Sequence, residues 1–546
     1  MRRALPWLAL LLAACEPGAD AANLAVFGTI WTGDSAAPEA RAMAVRGETI
    51  AAIGDSTTIA AMVGPNTRIL VVGSGLLVPG FTDGHVHLTD GGAQLGFVDL
   101  RDADTPAEFI RRIKVYASTL RAGEWILGGV WDHERWRGAP LPRKEWIDSV
   151  TPNNPVFVQR LDGHMGLANS RALMLANITG GTPDIAGGTI VKTAAGNPTG
   201  VLKDEAMGPL FQVIPAPSPA QVDSAFARAM RFANARGVVA VSAVSAPWSE
   251  VAAVRRAHAN GTQTLRVSLY PALGDWRRVA DSVHANGVGD DWIRLGGVKG
   301  FVDGSLGSTT ALFFEPYLDD STSSGLLTTP LDSLAHWIGS ADSAGLQVAV
   351  HAIGDRANAL LLDIYDSVAS AHGTRDRRFR IEHAQHLRVE DIARIAKTGV
   401  IASMQPYHVA DDGRWAWKRI RPAQMAGTYA FRSLLDAKAH LTFGSDWTVA
   451  PIEPLLGIWA AVTRQTLDGN YPGGWLPEQK ITVDDALRAY TVTNAYGVFA
   501  ETRRGRLAVG QLADFVMIDR DLRTIPADSI KHAKIRTTVV GGRVVF

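Results

Sequence analysis

The middle of the chain alternates short apolar runs with helical stretches, and this alternation is the feature that most constrains the fold. Such an order is typical of βα units built around a parallel sheet. Helical stretches lie between several of the runs, for example at 220–236 and 356–371. Eight strand candidates in this order predict an α/β fold, a (β/α)8 TIM-like barrel. The candidates are 78–87, 238–244, 265–270, 293–301, 346–351, 379–383, 400–405 and 441–446.

The two ends of the chain have a different pattern of apolar residues from the middle. Residues 23–79 and 501–546 contain short alternating apolar runs separated by Gly and Asp, a pattern typical of small antiparallel strands. We expect the two ends to pair into one composite β-sandwich domain, with the barrel over 80–500. Residues 98–220 separate the first two barrel strands and are too long for a loop, so they predict an inserted subdomain.

The charge balance narrows the class of partner. Lys and Arg together number 54, and Asp and Glu together also number 54, so no basic surface field is indicated. Nucleic-acid binding usually needs such a field, and we therefore expect no nucleic-acid partner. A small-molecule substrate is the partner that we expect.

Polar side chains stand where the predicted barrel strands end, which is where active sites of such barrels lie. His85 and His87 end the first strand, and residues two apart on a strand project to the same face, so they predict a pair of metal ligands. Lys299 lies in the fourth strand, where a buried lysine is costly unless something uses it. Later strands end in His351, His383 and Asp446. Together these residues predict a metal centre.

The order His-x-His, Lys, His, His and Asp on successive strands resembles the amidohydrolase superfamily. The resemblance is strongest to its YtcJ-like branch, which includes N-substituted formamide deformylases. The matching motifs are PGFTDGHVH at 79–87, LDGHMGLANS at 161–170, GVLKDE at 200–205, the stretch 299–308, HAIGDRA at 351–357, RIEH at 380–383, GSD at 444–446 and GRLAVGQLADFVMI at 505–518. One departure is Thr309, because the branch often has an arginine at that position.

The resemblance implies a metal-dependent hydrolase that cleaves an amide-type C–N bond. Imidazole and carboxylate ligands suit Zn²⁺, as one or two ions, which would activate a hydroxide. Asp446 is the expected ligand and proton shuttle. Two alternatives use the same core, namely ring deamination and hydrolysis of a lactone or ester. A further alternative is a solute-binding lipoprotein without catalysis.

Lys299 raises a separate question. Burial and neighbouring cations depress the pKa of such a lysine, and a neutral amine can combine with CO₂ to give a carbamate. A carboxylated Lys299 would bridge two metals, with His85 and His87 on one ion and His351 and His383 on the other. The alternative is one metal, with Lys299 as a neutral hydrogen-bond partner or in a salt bridge to Asp303.

Four further residues are candidates for substrate contacts: His164, Asp303, Gln405 and His408. His164 belongs to the expected insertion, where a purely structural role is an equal alternative.

The N-terminus predicts export. Arg2 and Arg3 precede a short apolar run that ends before Cys15, as in a secretory signal. Residues 12–15 resemble the bacterial lipobox, which makes 1–14 a lipoprotein signal peptide and Cys15 the lipidated first residue. Glu16, rather than Asp, follows Cys15, which indicates an outer-membrane, periplasm-facing location. A plain signal peptide cleaved nearby is the alternative, and any membrane contact would be through the lipid anchor.

Overall fold

A computed structural model describes residues 21–133, 136–138, 140–160, 165–185, 188–307 and 309–546. The signal segment 1–14 and Cys15 lie outside these residues. These described residues form two compact units, the first within 1–86, 233–245 and 264–546 and the second within 87–232 and 246–263. Within the described ranges, no helix has both the length and the apolar character needed to cross a membrane.

Strands from both chain ends lie in one mixed sheet of the first unit. The order across it is Arg543–Val544, Ile535–Val540, Phe515–Ile518, Leu76–Pro79, Leu24–Trp31, Glu39–Arg46 and Thr49–Gly54, with Arg68–Val71 also paired to Leu24–Trp31. Its core includes Val26, Met43, Leu77, Phe515 and Val539, which are all buried. The two ends therefore share a sheet. The finer division into a β-sandwich of 23–79 with 501–546 and a barrel over 80–500 stays a prediction.

The parallel strands of the first unit form two sheets. One has the order Ile293–Leu295, Arg266–Tyr270, Val238–Val244 and Phe81–Val86. The other has the order Gly297–Phe301, Gln347–Ala352, Arg380–His383, Ile401–Met404 and His440–Phe443. Their strands are buried and rich in β-branched residues, as in parallel sheets that are covered on both faces.

Single contacts, rather than continuous ladders, join the two parallel sheets at both of their edges. At one edge Ala272 and Lys299 form an isolated parallel bridge, and at the other Val86 pairs with Trp447 in the same way. The Asn494 side-chain amide donates to the carbonyl oxygens of Thr82 and Phe443, both at 2.8 Å. The fold is thus mixed α/β with parallel strands in the predicted order, and full closure of the barrel stays a prediction.

Helices alternate with these strands along the chain. Their ends carry the expected signals: Thr105 accepts from the Glu108 N–H ahead of a proline in the first turn, and Thr482 forms a capping box with Asp485. The α-helices are Ser56–Ala60, Leu88–Gln94, Pro106–Ala117, Glu145–Asp148, Ser170–Leu175, Gly208–Val213, Pro219–Asn234, Trp248–Ala259, Trp276–Asn286, Leu331–Ser343, Asp355–His372, Val389–Thr398, Pro406–Asp412, Pro422–Met425, Phe431–Asp436, Pro454–Thr463, Val483–Tyr490 and Val492–Gly497. Short 3-10 turns are Glu205–Met207, Leu273–Asp275, Ala416–Lys418, Pro477–Gln479 and Ala527–His532.

The second unit has a sheet of its own. The order is Gly188–Lys192, Pro198–Asp204, Met165–Ala168, Phe157–Arg160, Gly128–Trp131 and Val98–Asp99. Buried side chains such as Phe109, Trp131, Val158, Leu167 and Val201 pack into one cluster. All these strands lie within 98–220, so the stretch that is too long for a loop does contain a sheet with its own apolar core.

Candidate metal centre

His85 lies near the carboxyl end of the strand Phe81–Val86 and is 1 % exposed. Its Nδ1 lies 2.6 Å from Glu382 Oε2, and its Nε2 lies 3.4 Å from Asp446 Oδ1. Burial lowers the pKa of His85 to about 4, and the Lys299 cation acts in the same direction. The ring is therefore neutral near pH 7. Because a carboxylate can only accept, the proton stands on Nδ1 and leaves the Nε2 lone pair for a ligand.

Glu382 is a buried carboxylate held from both sides. Arg380 Nε donates to Glu382 Oε1 at 2.7 Å, and both side chains are fully buried. The same guanidinium donates to the Gly84 carbonyl at 2.7 Å and to Ser403 Oγ at 2.9 Å. Burial would raise the pKa of Glu382, but the Arg380 charge and the bond from His85 outweigh it and hold that pKa well below its usual range. Glu382 is therefore ionised.

His383 and His351 end neighbouring strands, and their ring centroids are 4.5 Å apart. His383 Nδ1 donates to Gln405 Oε1 at 2.9 Å, so its lone pair is on Nε2. His351 Nε2 donates to the Gly304 carbonyl at 3.0 Å, so its lone pair is on Nδ1. The His383 and His85 centroids are 4.9 Å apart. Burial lowers the pKa of His351 to about 3 and that of His383 well below its usual value, so both rings are neutral.

Asp446 follows the strand His440–Phe443 and is 6 % exposed. Its backbone N–H donates to the His85 carbonyl at 2.8 Å, which fixes the two candidate ligands relative to each other. Asp83 Oδ1 accepts from the N–H groups of Ser445 at 2.8 Å and His85 at 3.2 Å. Burial raises the pKa of Asp83 to about 7. This inner carboxyl therefore ties the first and last parallel strands together at the site.

Two of the candidate ligands have left-handed backbones. The φ angle is +58° at Asp446 and +75° at His383, and Ala384 follows with +43°. Such values are uncommon outside glycine, and they persist only where the surroundings impose them. Strain of this kind is concentrated at functional sites, which fits the placing of both side chains here.

His383, His408 and Asp446 can each offer one ligand atom, and these atoms lie within 4.8 Å of one another. His408 Nε2 is buried without a hydrogen-bond partner in the described chain, as expected of an atom that binds something else. His85 Nε2 also lies close to this group, 3.4 Å from Asp446 Oδ1. His87 lies directly after the first strand, at the amino-terminal cap of Leu88–Gln94. The donor set of imidazoles and a carboxylate fits a divalent ion such as Zn²⁺.

Lys299 lies in Gly297–Phe301 and is 2 % exposed. Burial lowers the pKa of Lys299 to about 8, although the charges of Glu382 and Asp446 oppose the shift. Its Nζ lies 4.6 Å from the Phe301 ring centroid. Over the described ranges it forms no ion pair with Asp303, so that alternative for Lys299 is not observed.

The Asp303 side chain is hydrogen-bonded to backbone N–H groups. Its carboxylate accepts from the N–H groups of Leu312 at 2.8 Å, Ile353 at 3.0 Å and Gly354 at 2.8 Å. Burial raises the pKa of Asp303 to about 7, although the hydrogen bonds from these N–H groups act to lower it. Its Oδ1 also lies 3.5 Å from His351 Nε2. The residue therefore orders the loops around His351, and a direct substrate contact stays a prediction.

The other sequence candidates have different outcomes. Gln405 is buried and holds His383, as described above. Thr309 lies in a turn with φ +60°. His164 lies outside the described residues.

Three residues of the site were not identified from the sequence beyond their motifs. Arg380 and Glu382 are charged residues two apart in a fully buried strand, Arg380–His383. Asp83 is a carboxylate in the equally buried strand before His85. The signal was present in each case, because buried charges are rare unless they are paired.

The comparisons agree with this site. A profile described as the amidohydrolase family matches residues 74–546. The chain belongs to the amidohydrolase family. The protein LONG AFTER FAR-RED 3 of Arabidopsis thaliana is 38% identical over 99% of this amidohydrolase and 94% of its own length. YtcJ of Bacillus subtilis (strain 168) is 30% identical, and the match covers 88% of this chain and 91% of YtcJ. The N-substituted formamide deformylase of Arthrobacter pascens is 26% identical, covering 92% and 94%.

Solved structures place the fold of this amidohydrolase among hydrolases. A metal-dependent hydrolase of Pyrococcus horikoshii OT3 has a TM-score of 0.77 at 27% identity, covering 92% of this chain and 99% of its own. A second, from Pyrococcus furiosus, has a TM-score of 0.75 at 27% identity, covering 91% and 99%. The geometry of the site and the relatives therefore both indicate a metal-dependent hydrolase.

Proposed function

We propose that this amidohydrolase hydrolyses an amide-type C–N bond in a small molecule. The observation that carries the proposal is the convergence of neutral imidazoles on Asp446, with the rings of His85 and His383 held through their Nδ1 atoms by Glu382 and Gln405. The N-substituted formamide deformylase among the relatives supports a C–N bond as the target. We propose no nucleic-acid partner, since the chain carries no net charge.

A divalent metal, which we propose to be Zn²⁺, would be held by His85, His87, His383 and Asp446, with His408 or His351 completing the set. When bound, such an ion lowers the pKa of a coordinated water and polarises the scissile carbonyl. Gln405 and Glu382 keep the ligand rings in the tautomers that this requires. The buried surroundings exclude bulk water from these groups.

Asp446 is the proposed proton shuttle. Water adds to the carbonyl carbon, and its proton goes to the Asp446 carboxylate. That proton then goes to the leaving nitrogen as the C–N bond breaks, which yields a carboxylic acid and an amine. An aspartate can serve in this way because its carboxylate both accepts and returns one proton.

Asp446→Asn tests the shuttle. We expect turnover to fall by about 10³-fold, because acid–base catalysis and metal activation are both impaired. The substrate comes first from a screen of N-acyl, N-formyl and lactone compounds, which also tests deamination and ester hydrolysis. The exposed Asp436→Asn serves as a matched control with unchanged turnover. A folded Asp446→Asn protein with turnover close to that of the wild type would refute the assignment.

We also propose a second metal, bridged by a carboxylated Lys299. Its low exposure and lowered pKa favour the neutral amine that carboxylation needs. Lys299→Ala should lose one metal per chain, and added bicarbonate or a short carboxylate should restore part of it. A ¹³CO₂ signal on Lys299 would support the bridge. One tightly bound metal and a bare lysine in zinc-replete protein would contradict it. Metal content after purification without added zinc also tests the non-catalytic solute-binding alternative.

A further inference from the structure

A cavity of about 80 Å³ lies at the opposite end of the parallel strands from the metal centre. We call it the basal cavity, and its lining includes Arg266, Ser268, Arg294, Phe499, Arg503 and Arg504. Arg266 begins its strand, and Arg294 lies in Ile293–Leu295, so these side chains belong to the amino-terminal ends of the strands. None of these residues takes part in the chemistry proposed above.

Two of the four lining arginines already have carboxylate partners. Arg266 donates to both oxygens of Asp514, at 2.7 and 2.9 Å. Arg503 donates to Asp291 at 2.6 Å. Asp290, which also lines the cavity, accepts from the N–H groups of its own turn, at 2.8 and 2.9 Å. The acidic groups at the cavity are therefore engaged.

The other two arginines have no carboxylate partner in the described chain. Arg504 is 6 % exposed, and its guanidinium makes one hydrogen bond, from Nη1 to Thr82 Oγ1 at 2.9 Å. The Arg294 guanidinium lies 5.0 Å from the Phe499 ring centroid and makes no ion pair within the described ranges. Burial lowers the pKa of Arg504 to about 10, which still leaves it charged at neutral pH. Asp514 and Asp291 act on Arg504 electrostatically, as Glu501 does on Arg294, but none of these carboxylates forms an ion pair with them within the described ranges. The desolvation of the two cations is therefore only partly compensated.

Ser268 supplies a further unused donor. It is 5 % exposed, lies two residues from Arg266 on the same strand face, and forms no side-chain hydrogen bond over the described residues. The cavity thus combines a free hydroxyl with two guanidinium groups that have unused N–H donors. It also has room for several waters, since one water needs only about 10–15 Å³ on a comparable measure.

We propose that the basal cavity binds a small tetrahedral oxyanion of the phosphate type. Guanidinium groups form paired, charge-assisted bonds with such oxygens, and Ser268 can donate a further one. The anion would neutralise Arg294 and Arg504 together. It would also link Arg504, from the segment after Val492–Gly497, to the strands that carry Ser268 and Arg294. Its expected effect is therefore on the stability of the fold rather than on the reaction.

The test is calorimetric titration of the metal-loaded full-length protein with inorganic phosphate, at constant ionic strength set with chloride. We compare the wild type with Arg294→Gln, Arg504→Gln and Ser268→Ala. We expect saturable binding, weakened about tenfold or more by each arginine substitution and a few-fold by Ser268→Ala. The matched control is Arg506→Gln, an exposed arginine two residues from Arg504, which should bind as the wild type does.

The variants also separate this cavity from the metal centre, where phosphate could bind as well. Loss of one binding event in Arg294→Gln and Arg504→Gln, with Arg506→Gln unchanged, supports the proposal. Equal phosphate affinity in all five proteins, or no saturable binding by the wild type, overturns it. If Arg504→Gln does not fold, the half-buried Arg294→Gln decides the matter alone.

Discussion

At the scale of single residues, the orientation of His85 depends on a carboxylate that does not itself lie among the candidate ligands. Glu382 fixes the proton of His85 on Nδ1, and Arg380 fixes Glu382 while also holding the Gly84 carbonyl next to His85. Such carboxylate–histidine pairs set the ring orientation and basicity of metal ligands. The metal affinity of the site should therefore depend on the charge of Glu382.

Glu382→Gln tests this dependence without changing the side-chain shape. We expect metal affinity to fall by about 10–100-fold, because the amide holds the imidazole proton less strongly than a carboxylate does. Competition with a coloured chelator measures the affinity without any substrate. Glu390→Gln, at an exposed position, is the control that should keep it. Unchanged affinity in a folded Glu382→Gln protein would show that Glu382 only balances the charge of Arg380.

His386 gives a prediction about pH that does not involve the metal. It is 1 % exposed, its Nδ1 lies 2.9 Å from Thr428 Oγ1, and burial lowers its pKa to about 3. Below pH 6.5 the His386 imidazole therefore binds a proton in the unfolded chain. In the folded protein it stays neutral down to about pH 3. Stability from this residue is present above pH 6.5 and is lost as the pH falls.

From pH 7 to pH 5 this loss amounts to about 2 kcal/mol of unfolding free energy. As the pH is lowered, the urea midpoint of metal-free protein should thus decrease less steeply in His386→Gln than in the wild type. The exposed His284→Gln should keep the wild-type slope. The same slope in all three proteins would mean that His386 is protonated in the folded state.

At the scale of elements, the sequence predicts strands better than their junctions. The strand at 238–244 has the predicted bounds, because its run of valines and small residues is buried throughout and favours a strand over its whole length. The run 78–87 is instead two strands that pair with different partners, Leu76–Pro79 with the end sheet and Phe81–Val86 with the parallel strands. A Cβ at Gly80 would lie 2.4 Å from Val239, so close approach explains the break. Such a contact is not visible in one sequence.

In the candidate site, too, the sequence predicts the local pattern better than the contacts between elements. The ligand types at strand ends follow from local pattern, and the structure brings His85, His351, His383 and Asp446 into one region. His408, a predicted substrate contact, lies in the helix Pro406–Asp412 with a ring nitrogen within 4.8 Å of ligand atoms of His383 and Asp446, and its contact with substrate stays a prediction. Which side chains of a short helix approach neighbouring strands depends on tertiary packing, which periodicity alone does not specify.

Gly444 shows how one junction shapes the site. A Cβ there would lie 2.5 Å from the His85 backbone nitrogen and 2.9 Å from Asp83 Oδ1. Gly444→Ala should therefore push the last strand away from the first and cost about 1–3 kcal/mol of stability, with weaker metal binding. Gly473→Ala is the matched control, because nothing lies within 4 Å of a Cβ at that position. Equal midpoints and equal metal content in both variants would contradict this account.

At the scale of the whole molecule, the C-terminal segment is tied to the parallel strands by a buried ion pair. Arg266 and Asp514 are 2 % and 4 % exposed at their side chains, and Asp514 also accepts from the Gly541 N–H at 2.8 Å. The C-terminal strands therefore contribute to the placement of Arg266, and through it to the basal cavity. A truncation before 514 would leave that arginine buried without its partner, which is strongly destabilising.

The first residues bear on where the whole molecule is located, and we propose that it is a lipid-anchored protein of the bacterial outer membrane, facing the periplasm. The motif at 12–15 supports the proposal, since Cys15 is the one cysteine of the sequence. Cys15→Ser should move the protein from the membrane fraction to the soluble periplasm of a Gram-negative host. Glu16→Asp, which keeps the lipidated cysteine, should instead retain it in the inner membrane. Immunoblots of separated membranes measure both. If Cys15→Ser stays in the membrane fraction, the anchor does not depend on Cys15, and a plain signal peptide together with some other attachment would have to replace it.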